Sequence, residues 1–347
     1  VVTIRDLARE AGVSIGTVSR AFRGYKDISA ETKAHILETA QRIGYTPNLV
    51  ASNLSSKKKQ NIAFIMASLL SSDPRDTLAF QLIQGIMQSC LERGVELVTY
   101  AIDTSQQKNQ SYIDFCKQRN IAGAVICGIS SDDVYFSEIA ASEIAVVSID
   151  FALCKENQGW VSVDNVLAAR DAMRHLYAAG CKCPLIVSGR RNAEVAIMRE
   201  SGVQLALAER NQSLPPENLL YGKFDEQTAY RVVRERLRSG KNIPDGIFCL
   251  SDLMALGAMR AVKDAGYRVP EDIPIIGFDG VYIGEYVQPS LSTIYQDVRR
   301  IGYEAANLLC DIMNGTRGGS HVVVPHRLLA RQSTQHEANT NEQSFVR

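Results

Sequence analysis

The chain has 347 residues, 46% of them hydrophobic and 22% charged, with 38 Lys/Arg balanced by 38 Asp/Glu. Such a composition belongs to a folded protein too long for one ordinary core, and it excludes a disordered one. No apolar run reaches the roughly 20 residues of a membrane span, and the opening VVTIRDLAREAG has no basic start, apolar stretch or cleavage site. Eight Cys are scattered, with only Cys181 and Cys183 close together in a C-x-C spacing. With no C-x-x-C pair and no companion His set, neither a metal site nor a redox motif is expected, and reduced thiols of a cytoplasmic protein are the simpler reading.

Overall neutrality hides an asymmetry. Residues 1–60 carry ten Lys/Arg and only five Asp/Glu, so a head of net charge +5 stands on a body of net charge −5. A small basic head on an acidic body is the electrostatic footprint of a nucleic-acid reader.

Ile4, Leu7, Ala8 and Ala11 fall on one helical face, with Thr3 placed to cap the helix and Gly12 to end it. Ser14 can cap a second helix, in which Val18, Ala21 and Phe22 share a face. Only Gly12 and Val13 separate the two, the turn length of a helix-turn-helix. Gly24 is placed to end this second helix. Ser29 caps a third, with Ile36, Leu37, Ala40 and Ile43 as its apolar positions and Gly44 as its stop. The second helix turns Ile15, Gly16, Ser19, Arg20 and Arg23 outward, a face without a single acid. Small residues let a backbone approach a groove floor, and Arg20 can donate two hydrogen bonds to guanine O6 and N7. Taken alone, Arg20 reads rather as a solvated surface arginine; the acid-free face around it favours base contact. Ser14, Thr17 and Ser19 suit phosphate oxygens, which position a helix without specifying sequence.

The run TIRDLAREAGVSIGTVSRAFRG, followed by ISAETKAHILETAQRIGYTPNLVASNL, closely resembles the lactose- and galactose-repressor family. The resemblance implies that Ile15, Gly16 and Arg20 read bases in the major groove. It implies phosphate contacts from Thr3, Ser14, Thr17, Ser19, Ser29, Thr32, Tyr45 and Asn48. It makes the segment after Pro47 a hinge helix that folds only when paired with its dimer mate, with Ala51 and Leu54 in the minor groove and Leu54 wedged into a base step. Without the resemblance, Leu54 reads as a packing contact in a linker, and SSKKKQ as a tether. Arg23 stands where the family usually has Asn.

From Asn61 the pattern changes. IAFIM, VELVTYA, GAVICG, AVVSID, PLIVSG, GIFCLS and IPIIGFD are short Val/Ile-rich runs, and helical segments such as Phe80–Arg93, Leu167–Ala179, Ala229–Ser239 and Leu253–Ala265 lie between them. Buried parallel strands alternating with helices predict doubly wound α/β sheets in two lobes. Ligands of such sheets bind beyond the carboxyl ends of the strands, here at Asp150, Ser251-Asp252 and Phe278-Asp279. Ser251 or Asp252 also reads as a helix cap, and Asp279 as a turn acid before Gly280. No G-x-G-x-x-G follows the first strand, no phosphate-binding G-x-x-x-x-G-K-[ST] occurs, and no nucleophile elbow carries a Ser or Cys beside a His. A nucleotide enzyme is unsupported, no catalytic residues are assigned, and no cofactor is expected.

The resemblance extends over residues 2–334 and implies a body like the periplasmic sugar-binding proteins. Asp150, Arg199, Phe224, Ser251 and Asp279 then match the family's effector contacts. The first-strand loop, SLLSSDPRDTLAFQLIQG, departs from the family pattern, and Gly280 replaces a frequent second Asp, which would thin the polar contacts or enlarge the site.

The expected organisation is a small all-α helix-turn-helix DNA-binding head over 1–46, a hinge helix and linker over 47–60, and an effector-binding and dimerisation body over 61–334. A polar tail over 335–347 follows. Within the body, the expected lobes are about 61–160 plus 290–320, and about 161–289 plus 321–334. The functional expectation is a repressor that binds a pseudo-palindromic operator as a homodimer under control of a small-molecule effector, a sugar or sugar phosphate first and a purine next. A cytosolic solute-binding protein or an enzyme of periplasmic-binding-protein fold is the alternative. The tail has no leucine heptads, which favours a dimer over a coiled-coil tetramer.

Overall fold

The computed structural model describes residues 2–22, 25, 27–45, 61–67, 77–102, 110–240 and 242–335. The chain divides into two compact units, residues 1–60 and 61–347. The hinge expectations on Asn48, Ala51 and Leu54, the outward placement of Arg23, the stop at Gly24 and the tail from residue 336 lie outside the described residues.

In the first unit each helix start is closed by its own side chains. Thr3 caps α1 (Ile4–Glu10) reciprocally: its Oγ1 accepts from the Asp6 N–H at 3.4 Å, and its own N–H donates to Asp6 Oδ2 at 3.0 Å. Gly12, at φ +66°, makes the turn that no β-carbon would favour. Ser14 Oγ then accepts from the Thr17 N–H at 3.0 Å and opens α2 (Ile15–Phe22). Ser29 Oγ does the same for Thr32 at 3.1 Å and opens α3 (Ala30–Ile43), which ends on Gly44 in the left-handed region. Leu7, Val18 and Ile36 are fully buried, joined by Ala8, Ala11, Ala21 and Ala40. On α3 the inward stripe takes Thr39 rather than Leu37, which is exposed. A core this small fills largely with alanines, and Ile43 at the end of α3 packs against its edge.

The second unit holds two six-stranded sheets. The first runs in the order β11-β5-β4-β3-β1-β2, with β1 Asn61–Ala67, β2 Leu97–Ile102, β3 Ile121–Cys127, β4 Ala145–Ile149, β5 Gln158–Ser162 and β11 Ser320–Val323. The second runs β12-β10-β9-β8-β6-β7, with β6 Leu185–Ser188, β7 Leu219–Tyr221, β8 Ile247–Cys249, β9 Ile275–Asp279, β10 Ser292–Gln296 and β12 His326–Leu329. All pairings are parallel except β10 with β12. β1 shows why these strands read as continuous apolar runs. Ile62, Phe64 and Met66 enter one core and Ala63, Ile65 and Ala67 another, so both faces are dry.

Helices α4 (Leu78–Arg93), α5 (Tyr112–Gln118) and α6 (Val134–Ala141) belong to the first lobe, and α7 (Asn165–Ala178), α8 (Glu194–Ala208), α9 (Glu226–Arg238) and α10 (Asp252–Asp264) to the second. Helix α11 (Val298–Met313) returns to the first lobe against α4. The chain crosses between lobes at 163–164, at 297 and at 324–325, after β5, β10 and β11. These positions differ from the expected breaks near 160, 290 and 320. β10 belongs to the second sheet because Ser292–Tyr295 pair with Ile276–Asp279, and β11 to the first because Ser320–Val323 pair with Gly159–Ser162. Register of this kind depends on partners far along the chain. Among the described residues no helix is long and apolar enough to cross a membrane, and all eight cysteines are unbridged.

Helices α4 and α11 touch backbone to backbone. A Cβ on Gly85 would lie 1.9 Å from the Arg299 carbonyl oxygen, and one on Gly302 would lie 2.3 Å from that of Leu82. Gly85→Ala should therefore push two helices apart rather than rotate a side chain, lowering stability by about 2 kcal/mol or more. Urea unfolding of the purified protein should show it as a lower midpoint.

Candidate functional site

On the head, the face of α2 opposite its buried Val18 and Ala21 presents Ile15, Gly16 and Arg20, all exposed, with Ser19 half-buried beside them. The helix carries no acid in its first turn, so nothing on it opposes an approaching phosphate backbone. Five of the expected phosphate-contacting residues gather at helix starts. Thr3 belongs to the cap of α1, Ser14 and Thr17 hydrogen bond to each other at 2.9 Å at the start of α2, and Ser29 and Thr32 do so at 2.8 Å at the start of α3. Helix starts carry partial positive charge and open N–H groups, the natural seat of a phosphate. Tyr45 first serves packing. Its ring meets Phe22 edge-on at 5.9 Å, and partial burial pushes its phenol pKa up. Arg20 is not a solitary cation, because its Nη2 pairs with the carboxylate of Asp27.

In the body, four expected contacts stand at carboxyl ends of strands. Asp150 follows β4, Phe224 follows β7, Ser251 follows β8 and Asp279 ends β9. Asp150, Phe224 and Asp279 all have positive φ, at 67°, 61° and 119°, so the chain turns sharply where each side chain leaves its strand. Arg199 comes from α8 and is only 3% exposed. Its Nε donates to Asn165 Oδ1 at 2.8 Å and its Nη1 to the Leu250 carbonyl at 2.6 Å and to Asp279 Oδ1 at 3.4 Å. Its guanidinium lies 3.6 Å from the centroid of the Phe278 ring.

A polar chain continues into the first lobe. Asn165 Nδ2 donates to Ser162 Oγ at 2.9 Å, and Ser162 Oγ donates to Asp150 Oδ1 at 2.9 Å. Burial pushes the Asp150 carboxyl pKa up, while Arg199 and the hydrogen bonds from Ser162 and Asn165 oppose that rise. Burial equally lowers the Arg199 pKa, opposed by Asp279 and Asp150. Gln296 Nε2 donates to Asp279 at 2.7 Å, and its Oε1 is buried with no protein partner. At another point the lobes meet where Asn192, after β6, donates to Asp132, after β3. Hydrogen bonds from Ser130 and Asn192 hold the Asp132 carboxyl below its usual range.

Two acids divide their labour. Asp252 is fully buried and accepts from the Gly280 and Val281 N–H groups at 2.8 Å each and from Thr293 Oγ1 at 2.7 Å. It ties β9 to β10, three hydrogen bonds already engage its carboxylate, and burial together with the nearby Asp279 charge raises its pKa strongly. Ser251 caps α10, accepting from the Met254 N–H at 3.3 Å, which leaves its hydroxyl proton free to donate. Phe224 lies against Gly189, where any Cβ would come within 2.1 Å of the ring. Gly280 does not enlarge the site as expected. Its φ is +77° and a Cβ there would sit 2.6 Å from the Tyr295 ring, so Tyr295 already fills that space. Sequence reasoning missed Ser162, Asn165 and Gln296, which carry no local motif. Together the cleft offers a fork of donors, carboxylates and an aromatic face, the parts that recognise a polyhydroxylated molecule.

A helix-turn-helix head on a two-lobed α/β body with such a cleft defines a ligand-responsive transcription regulator. Residues 3–48 match the family model of bacterial regulatory proteins, lacI family, and residues 173–334 match that of the periplasmic binding protein-like domain. Catabolite control protein A of Priestia megaterium is 30% identical over 336 residues, 96% of this chain and 99% of that relative. The HTH-type transcriptional repressor PurR of Histophilus somni is 27% identical over 324 residues, 93% of this chain and 95% of the relative. A crystal structure of the lac repressor dimer bound to operator and the anti-inducer ONPF superposes with a TM-score of 0.84 at 24% identity, covering 96% of this chain and 99% of that one. The chain belongs to the lacI family of bacterial regulatory proteins, and is a sequence-specific DNA-binding regulator rather than an enzyme.

Arg199 has a structural duty beyond any ligand. Arg199→Met would leave Asp279 without this cation and the Leu250 carbonyl and Asn165 without their donor. Unfolding free energy should fall by about 3–5 kcal/mol, measured by urea titration in the absence of ligand.

Proposed function

We propose that the protein is a repressor that binds a pseudo-palindromic operator as a homodimer, with a sugar or sugar derivative in the cleft between its lobes setting DNA affinity. The observation that carries the DNA half is the exposed, acid-free face of α2 with Ile15, Gly16 and Arg20 on it, flanked by three helix starts rich in hydroxyls. Ile15, Gly16 and Arg20 read base edges, and Thr3, Ser14, Thr17, Ser19, Ser29, Thr32, Tyr45 and Asn48 contact phosphates. Ala51 and Leu54 of the hinge enter the minor groove between the two half-sites. Two-fold symmetry of the protein then matches the symmetry of the operator. A stripe on α4 supports pairing through the lobes: Phe80, Met87 and Leu91 are 62%, 48% and 79% exposed on one helical face. The related lac repressor was crystallised as a dimer on operator. A regulator that meets chromosomal DNA works in the cytoplasm, where its unbridged cysteines stay reduced.

For the effector half, Asp150, Arg199, Phe224, Ser251 and Asp279 take the ligand, with Asn165, Ser162 and Gln296 behind or beside them. Fork donors and carboxylates suit paired hydroxyls, and Phe224 suits the C–H face of a sugar ring. Effector changes DNA affinity by favouring one arrangement of the lobes over another.

The operator is found by selecting bound duplexes from a random library at low salt. Arg20→Ala should then weaken operator binding by about 1–3 kcal/mol and relax preference at one base pair per half-site. Equal weakening on all sequences would make Arg20 a phosphate contact. For the cleft, a thermal-shift screen against sugars, sugar phosphates and purines should find a ligand that raises the melting temperature of the wild type. The same ligand should leave Asp279→Ala unshifted. An unchanged shift in that variant would remove Asp279 from the site.

A further inference from the structure

One carboxylate of the head stands against the exposed arginine of α2. Of the acids described in the head, Asp6 is committed to the cap of α1 and pairs with Arg9 at 3.7 Å. Asp27 caps nothing. It lies in the turn between α2 and α3, seven residues after Arg20, and its Oδ2 pairs with Arg20 Nη2. Both side chains are about half exposed, at 53% and 46%. The centroid of the Tyr25 ring lies 5.9 Å from Arg20 Cζ. An exposed ion pair contributes little to folding, so stability does not account for the acid. An acid at a phosphate-binding surface also opposes DNA electrostatically. Its placement on the guanidinium of the base-reading helix therefore has to act through that guanidinium.

We propose that Asp27 is a positioning residue that aims Arg20 at a guanine and so sets base specificity, resting on the reading of Arg20 given above. A guanidinium has five N–H donors in a rigid plane, and a guanine takes two of them through O6 and N7. The Asp27 carboxylate occupies donors on one side of the plane and leaves a second side for the base. Held this way, Arg20 loses less rotamer freedom on binding. Its charge is also partly neutralised, which makes it a poorer ligand for a wandering phosphate. The pair thus trades non-specific attraction for discrimination at one base pair.

The test uses the full-length protein, the selected operator, and duplexes in which each G·C pair of a half-site is exchanged in turn, over a series of salt concentrations. Wild type, Asp27→Asn, Arg20→Ala and the double variant are compared, with circular dichroism confirming that the head stays helical. Asp27→Asn should cut discrimination by about 3- to 10-fold at the same base pair that Arg20→Ala relaxes, a fraction of what a bidentate contact supplies. It should also tighten binding to non-operator duplex and steepen the salt dependence, since a negative charge is gone. In the Arg20→Ala background, Asp27→Asn should leave discrimination at that pair unchanged. If Asp27→Asn alters affinity and salt slope but keeps full discrimination, Asp27 is only an electrostatic brake and the proposal fails while the reading of Arg20 survives. If Arg20→Ala relaxes no base pair at all, that reading fails and the positioning role falls with it.

Discussion

The body is organised around a buried cation. Arg199 is almost entirely removed from water, where an uncompensated charge costs several kcal/mol or more. The folded chain meets that cost by bringing three separate segments to it: the start of α7 through Asn165, the end of β8 through the Leu250 carbonyl, and the end of β9 through Asp279 and the ring of Phe278. Because parallel strands all deliver their carboxyl ends to one edge, these partners arrive together without a dedicated loop. The same network reaches Asp150 in the first lobe through Asn165 and Ser162. A ligand that engages these groups therefore touches the bonds that relate one lobe to the other, which is the physical requirement for coupling binding to lobe arrangement.

The head is built on the opposite economy. Its core holds three large fully buried side chains and a set of alanines, and each helix start is closed by a hydroxyl. A domain with so little to bury keeps its shape through caps and turns, and these leave hydroxyls and helix starts on the surface. Features that stabilise the head are in this way the ones suited to phosphate.

Close backbone approach does for the first lobe what Arg199 does for the cleft. At Gly85 and Gly302 helices α4 and α11 lie too near for any β-carbon, so a helix from the last third of the chain is fastened to the first described helix of the body. The opposite side of α4 keeps Phe80, Met87 and Leu91 in solvent. One helix thus couples the packing of its own lobe to the surface proposed for pairing.

What the sequence alone determined follows from local chemistry. Thr3, Ser14 and Ser29 announce helix starts because a cap bonds only two or three residues ahead, and Gly12 and Gly44 announce turns because only glycine is at ease there. IAFIM, PLIVSG and IPIIGFD read as strands because both faces of β1, β6 and β9 are buried, which leaves no polar alternation. The strands QGWVS, LLY and STIYQ gave no such signal, being short or partly polar, and the lobe crossings beside them were displaced for the same reason. Asp150 and Asp279 were legible as candidate site residues because a strand's end is a local address. Only the tertiary structure decided that Asp252 is a tie between β9 and β10, that Tyr295 fills the space at Gly280, and that Ser162, Asn165 and Gln296 belong to the network. It alone set Asp27 against Arg20. Each of these depends on which distant segments become neighbours, and hydrogen bonds between side chains far apart in sequence leave no periodicity to read.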